Sequence, residues 1–372
     1  MSRRVDNGLS GGNDLKAWVL HNIGDIRFED IDKPEPGPGE VLVRVMAAGI
    51  CGSDIPRTFD TGAHKMPIII GHEFSGIVAE TGEGVDPALM GARVGVFPLI
   101  PCRKCPQCLS ERYELCRDYD YLGSRSNGAF AEYVKVPADN LIKLPDSVSF
   151  EEAAMLEPMA VAVHAIRGIL DEDELNGNGA GTNKVKDLKV AVYGLGTIGM
   201  FVTMFLKAAG FDNLILLGNK QKQKEMIVSM GIPESCYHDG ASNEALKLIN
   251  EAGGADIIYE CVGSQVCYAG AVDIAAPTGR VMLVGNPGSD MTLNRNTYWK
   301  ILRNSLTLKG TWNSSFTGKD DDDWHYVLKL LGDGTVDPKR FITHRFPLEG
   351  LKQGLDIMHE KKEEYGKIVT LN

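Results

Sequence analysis

Four of the eight cysteines fall within fifteen residues, Cys102, Cys105, Cys108 and Cys116, in the pattern C-x2-C-x2-C-x7-C. Residues three apart are poorly placed to form disulfides, whereas thiolates at this spacing curl readily around one tetrahedral ion. The pattern predicts a structural zinc lobe. A chain of 372 residues buries a large core without covalent staples, so its thiols are expected to stay reduced, in the cytoplasm.

A second set is scattered. Cys51 lies in "GICGSD", His72 and Glu73 in "GHEFSG", and Glu157 in "LEPMAV". Each alone has an ordinary reading: a buried cysteine, a histidine paired near a turn, a glutamate opening a helix. Together they offer thiolate, imidazole and carboxylate, each beside a turn or an element end. Glu157 stands in an apolar stretch, where a lone carboxylate is costly unless paired or bound to a cation. Three protein ligands and one open position describe a catalytic zinc. Asp54 is a candidate to orient His72. His164, seven residues beyond Glu157, is expected to be a satisfied core histidine. Asp320–Asp323 should be a solvated start to a helix rather than a calcium site. Cys236, Cys261 and Cys267 are expected to pack.

Gly194, Gly196 and Gly199 form G-x-G-x-x-G directly after "VAVY" and open a helical pattern. In that strand–turn–helix setting the motif predicts a dinucleotide site, with the diphosphate on the helix N-terminus. The next strand should end in an acid that holds the ribose hydroxyls. It ends instead in Gly218, Asn219 and Lys220. Either Lys220, with Lys222, balances the 2′-phosphate of NADP, or Asn219 bonds the ribose of NAD.

These residues need two kinds of scaffold. Up to about residue 150 the chain alternates as short strands, "KAWVLHN", "IRFEDI", "EVLVRVMAAGI", "GIVAE", "GARVGVF" and "AFAEYVKV", with turns between them. A helical stretch "FEEAAMLEPMAVAVHAIRGIL" follows, then a polar insert at 171–187 expected to be a surface loop. From "LKVAVY" strands and helices alternate through "RVMLVG", which predicts a doubly wound parallel sheet. From about 314 that pattern ends, with "DDWHYVLKLL", "ITHRFPL", "EGLKQGLDIMH" and "GKIVTLN". Thirty-nine basic against fifty acidic side chains give a net charge of −11, which argues against nucleic acid as partner. No apolar run approaches the roughly 18 residues of a membrane span. Met1–Asp14 lacks the apolar core of a signal peptide and is expected to be an extension.

From about residue 15 to its end the chain resembles the zinc-dependent medium-chain dehydrogenases/reductases. The resemblance rests on "GICGSD", "GHEFSG", the four-cysteine lobe, "EP" at 157–158 and "GLGTIG". Within the family it is similar to the polyol dehydrogenases, because Glu157 stands where alcohol dehydrogenases usually carry a cysteine. The stretches "CGSDIPRTFDTGAHKMPIIIGHEFSG", "PLIPCRKCPQC" and "YDYLGSRSNGAFAEYV" strengthen the likeness to its polyol-phosphate members.

The resemblance implies an α/β chain in three segments. These are a GroES-like, mostly β catalytic domain at 1–160, a Rossmann domain at 161–313, and a return to the catalytic domain at 314–372. It implies catalytic zinc at Cys51, His72 and Glu157, with Glu73 an exchanging or water-linked ligand, and structural zinc at Cys102, Cys105, Cys108 and Cys116. Ser53 matches the family's proton-relaying hydroxyl. The implied reaction moves hydride between a polyol or a polyol phosphate, of the galactitol-1-phosphate kind, and NAD or NADP. An unphosphorylated sorbitol- or xylitol-type polyol is the alternative. Arg57, Lys65 and Arg125 are the candidate phosphate cations. A homodimer or homotetramer is implied. Gly218, where many relatives have Asp, and the length of the 171–187 insert depart from the family.

Overall fold

The structure, a computed structural model, describes residues 14–170 and 187–372. The expected extension Met1–Asp14 and the expected surface loop 171–187 lie outside the described residues except for their last positions.

The strand Glu40–Gly49 buries most of its length and forms the spine of a seven-stranded sheet. Its neighbours are Glu73–Thr81 on one edge and Lys367–Leu371 on the other, both antiparallel, and Tyr133–Pro137 pairs with its first half. Beyond these lie Arg93–Val96, Leu141–Lys143 and Ile342–Pro347. A three-stranded sheet, Asp25–Asp32, Asp14–Asn22 and Ile68–Ile69, packs its apolar residues into the same core. The register Val369↔Gly49 lays the end of the chain beside the residues that lead into Cys51.

The second sheet is wholly parallel, in the order Tyr237–Asp239, Leu214–Gly218, Val190–Tyr193, Ala255–Glu260, Ala275–Leu283, Thr307–Gly310. Val190–Tyr193 lies between the strand that follows it and Ala255–Glu260, so the order reverses at its C-terminal end, where such sheets bind ligands. Separate apolar clusters cover its two faces.

The alternation missed two edge strands. Tyr237–Asp239 has three residues, and Thr307–Gly310 exposes most of its length and carries Lys309 at its centre. The expected helical stretch is divided at Met155 into Phe150–Ala154, capped by Ser149 and Glu152, and Leu156–Arg167. This division puts Glu157 in the first turn of a helix. Leu156–Arg167 is buried on nearly all sides and belongs to a core that also takes Phe97, Phe201 and Trp324, joining the two sheets. His164 is satisfied there, its Nδ1 2.8 Å from Asp323 Oδ2. Asp322 caps Asp323–Gly332 by accepting from His325 N. Among the described residues no helix is long and apolar enough to cross a membrane.

Candidate active site

Cys51 follows directly from the spine strand, and its neighbour Ile50 is tied to the C-terminal strand through Ile368 O. His72 and Glu73 enter the adjacent strand after Gly71, whose φ of +97° and close Phe130 ring admit no side chain. The register Gly49↔Glu73 brings the two segments together. Donor atoms of Cys51, His72 and Glu73 lie within 4.8 Å of one another.

Glu157 is outside this compact trio but beside it. Its Oε1 accepts from Tyr121 Oη at 3.1 Å, and the Tyr121 ring meets His72 edge-on at 5.7 Å. Burial pushes the Glu157 carboxyl up to about 7, helped by Glu73 and opposed by His72 and Lys367. Burial, together with Glu157, raises the Tyr121 phenol well above its usual value, so that it stays a donor.

Charge around His72 favours a cation. Burial alone would lower its pKa, yet Asp54 and Cys51 outweigh burial and hold it well above the ordinary value. Asp54 is fully buried, and its Oδ1 lies 3.5 Å from His72 Nδ1, a long contact that turns this nitrogen toward the carboxylate. Asp54 Oδ2 also accepts from Cys51 N at 3.0 Å. The sulfur, nitrogen and carboxylate set fits a zinc ion with a remaining position open to substrate.

The lobe differs. Its four cysteines are free of disulfides, with Sγ···Sγ separations of 3.9 Å (Cys102–Cys108), 3.5 Å (Cys105–Cys108) and 3.9 Å (Cys105–Cys116). A tetrahedron of Zn–S bonds of about 2.3 Å has edges of roughly 3.8 Å, so four thiolates here fit a closed zinc site.

At the other sheet, Gly194 takes φ +99° and a Cβ at Gly199 would strike Gly194 O. A Cβ at Gly196 would meet open space where the helix Thr197–Ala208 begins, which fits a diphosphate approaching bare backbone. Past Gly218, Gln223 Oε1 accepts from both Asn219 N and Lys220 N, and the Lys220 ammonium lies 5.1 Å from the Tyr365 ring centre. Lys222 is paired with Glu225 instead.

Ser53 Oγ is 3.3 Å from Cys51 Sγ and accepts from Arg57 Nη1 at 2.9 Å. The charges of both Arg57 and Arg125 act on His64. Lys65 lines a cavity of about 360 Å³ with Asp32, Asp120 and Ser126, and none of Cys51, His72, Glu73 or Glu157 borders it.

Two site residues escaped the sequence reading. Lys367 is fully buried and donates to Ile50 O at 2.9 Å and to Glu73 Oε2. It lies 294 residues from Glu73, and a lysine opening "KIVTLN" looks like any strand-end cation. Tyr121 stands in "YDYLGS", where neither residue type nor spacing marks it as a site residue.

Residues 37–146 match the alcohol dehydrogenase GroES-like domain, and residues 197–333 match the zinc-binding dehydrogenase domain. The chain is 33% identical over 343 residues to galactitol 1-phosphate 5-dehydrogenase of Escherichia coli, covering 92% of this chain and 95% of that one. The crystal structure of the galactitol-1-phosphate dehydrogenase from Escherichia coli superposes with a TM-score of 0.84, at 31% identity, over 96% of this chain and all of that one. Sorbitol dehydrogenase of Bacillus subtilis is 29% identical over 364 residues, 96% of this chain and 97% of its own. A zinc-binding dehydrogenase from Sinorhizobium meliloti bound to NADP superposes with a TM-score of 0.83, at 27% identity, over 97% of this chain and all of its own.

Proposed function

We propose that this chain, which belongs to the zinc-binding alcohol dehydrogenase family, oxidises a secondary hydroxyl of a polyol phosphate with NAD(P) as hydride acceptor. Its class is plain: a zinc-dependent, NAD(P)-dependent alcohol/polyol dehydrogenase with a GroES-like and a Rossmann-type sheet. The observation that carries the reading is the meeting of Cys51, His72 and Glu73 within 4.8 Å, beside Glu157 and Ser53.

In this proposal Cys51, His72 and Glu157 would hold the catalytic zinc, with Glu73 an exchanging or water-linked ligand, and the lobe cysteines would hold the structural one. Zinc held there would supply Lewis acidity toward the substrate hydroxyl, and a nicotinamide held at the glycine motif would supply the hydride acceptor. The chain's own work is to fix the donors and move the hydroxyl proton. Asp54 orients His72; Lys367 balances Glu73; Ser53 Oγ, held by Arg57, receives the proton and passes it outward. Gly194, Gly196 and Gly199 receive the diphosphate, and Asn219 and Lys220 face the ribose.

The proposed segments are 1–160 and 314–372 for catalysis and 161–313 for nucleotide. A homodimer or homotetramer is proposed too, supported by the open edge at Thr307–Gly310 and the exposed Trp299, Leu302 and Trp312 beside it. A cytoplasmic setting agrees with eight unpaired cysteines. The test is turnover on hexitols and their 1-phosphates, each with NAD and NADP. A higher kcat/KM for the ester is expected. Better turnover of free sorbitol or xylitol would remove the phosphate reading, and a tenfold preference for NAD would remove 2′-phosphate recognition by Lys220.

A further inference from the structure

Among the described residues Arg125 is a cation without a counter-ion. Its guanidinium lies 4.7 Å above the Tyr119 ring, and its buried Nε has no hydrogen-bond partner among the described residues. No carboxylate pairs with Arg125 among them. A guanidinium held by an aromatic face keeps its hydrogen-bonding fork for something else. Tyr119 in turn meets Tyr121 edge-on, and Tyr121 donates to Glu157, so Arg125 is braced against the wall of the metal cluster.

Arg57 lies at the Cys51 segment, against Ser53 and Asp54. It is 23% exposed, and the partners found for it, Ser53 Oγ at 2.9 Å and Asp54 Oδ1 at 3.2 Å, both fall on Nη1. Its charge reaches Tyr121. His64 is exposed on its outer side; partial burial first, then the charges of Arg125 and Arg57, lower its pKa. His64 therefore shares the fields of two arginines beside the reacting centre, in a chain whose net charge is −11. Without an anion between them they repel; with one, each gains a charge-assisted partner.

We propose that Arg57, His64 and Arg125 form an anion subsite that grips the phosphate end of the substrate, and that Arg57 ties this grip to the proton-relaying Ser53. The proposal rests on the polyol-phosphate reading above and adds where the phosphate is held. Lys65, which lines a cavity that none of Cys51, His72, Glu73 and Glu157 borders, is left out of it. Two guanidiniums and an imidazole suit a phosphomonoester dianion, which offers three acceptor oxygens, better than a neutral polyol end.

The experiment compares wild type with Arg125→Ala, Arg125→Lys and His64→Asn, on a hexitol 1-phosphate and on the same free hexitol, with inorganic phosphate as competitor. Arg125→Ala should raise KM for the ester about 10- to 100-fold, with Arg125→Lys recovering part of it. kcat/KM for the free hexitol should change less than about threefold. Inorganic phosphate should compete with the ester in wild type and weaken as competitor in Arg125→Ala and His64→Asn. If wild type itself shows no preference for the ester, the substrate reading fails and the subsite with it. If wild type prefers the ester and both substitutions leave that preference and phosphate inhibition intact, the subsite is overturned while the substrate reading stands. Equal losses on both substrates would also overturn it, since they would mark Arg125 as structural.

Discussion

The four-cysteine lobe and the Cys51 cluster offer the same ion two different settings. In the lobe, four like donors come from one short segment, with separations that match the edges of a closed tetrahedron. At Cys51 the donors differ in kind, come from segments joined only by sheet register, and are held by polar partners of their own. Asp54 stands behind His72, Lys367 against Glu73, and Tyr121 against Glu157. A site that must leave one position open cannot be fixed by its ligands alone, so surrounding groups do that work.

The sharpest way to break this contrast is Lys367→Met. It leaves Glu73 as a buried carboxylate with no ammonium, and the metal-stripped protein should lose about 3–5 kcal/mol of stability in a denaturant titration. Lys367→Arg should recover most of that. An unchanged midpoint in Lys367→Met would mean that the pair contributes nothing to the site. Zinc held at the lobe should be unaffected in both variants.

Asp54→Asn comes next. It keeps the shape but removes the charge that faces His72, and zinc affinity at the Cys51 site should fall about 10- to 100-fold. Competition with a graded series of chelators measures it. Equal weakening of both zinc sites would show a general loss of structure rather than loss of orientation.

The smallest effect belongs to Tyr121→Phe. It removes one hydrogen bond to Glu157 while keeping the ring against His72, and a contribution of about 1 kcal/mol corresponds to roughly fivefold in kcat/KM. A drop of a thousandfold would instead make Tyr121 part of the proton path.

The same contrast explains what the sequence alone could tell. The lobe was readable because its ligands are three and eight residues apart, and the glycine motif because a strand precedes it and a helix follows. The parallel sheet followed from its buried strands, but Tyr237–Asp239 and Thr307–Gly310 are short edges with little apolar signal. Cys51, His72, Glu73 and Glu157 were each visible, yet the groups that hold them in place were not. Register places Glu73 opposite Gly49 and within the compact trio, whereas the break at Met155 sets Glu157 beside it on Tyr121. Lys367 was invisible, since only pairing of the last strand with the spine brings it to Glu73. Lys65 and Arg125 looked equivalent by charge. Only the fold separates a lysine on another cavity from an arginine stacked along the site wall.

The most direct test of the account is zinc per chain in wild type and Cys51→Ala, determined by elemental analysis alongside turnover and NADPH binding. Two zinc ions should become one, turnover should fall by about 10³ or more, and NADPH should bind as before. Two ions retained in Cys51→Ala with turnover near that of wild type would contradict it.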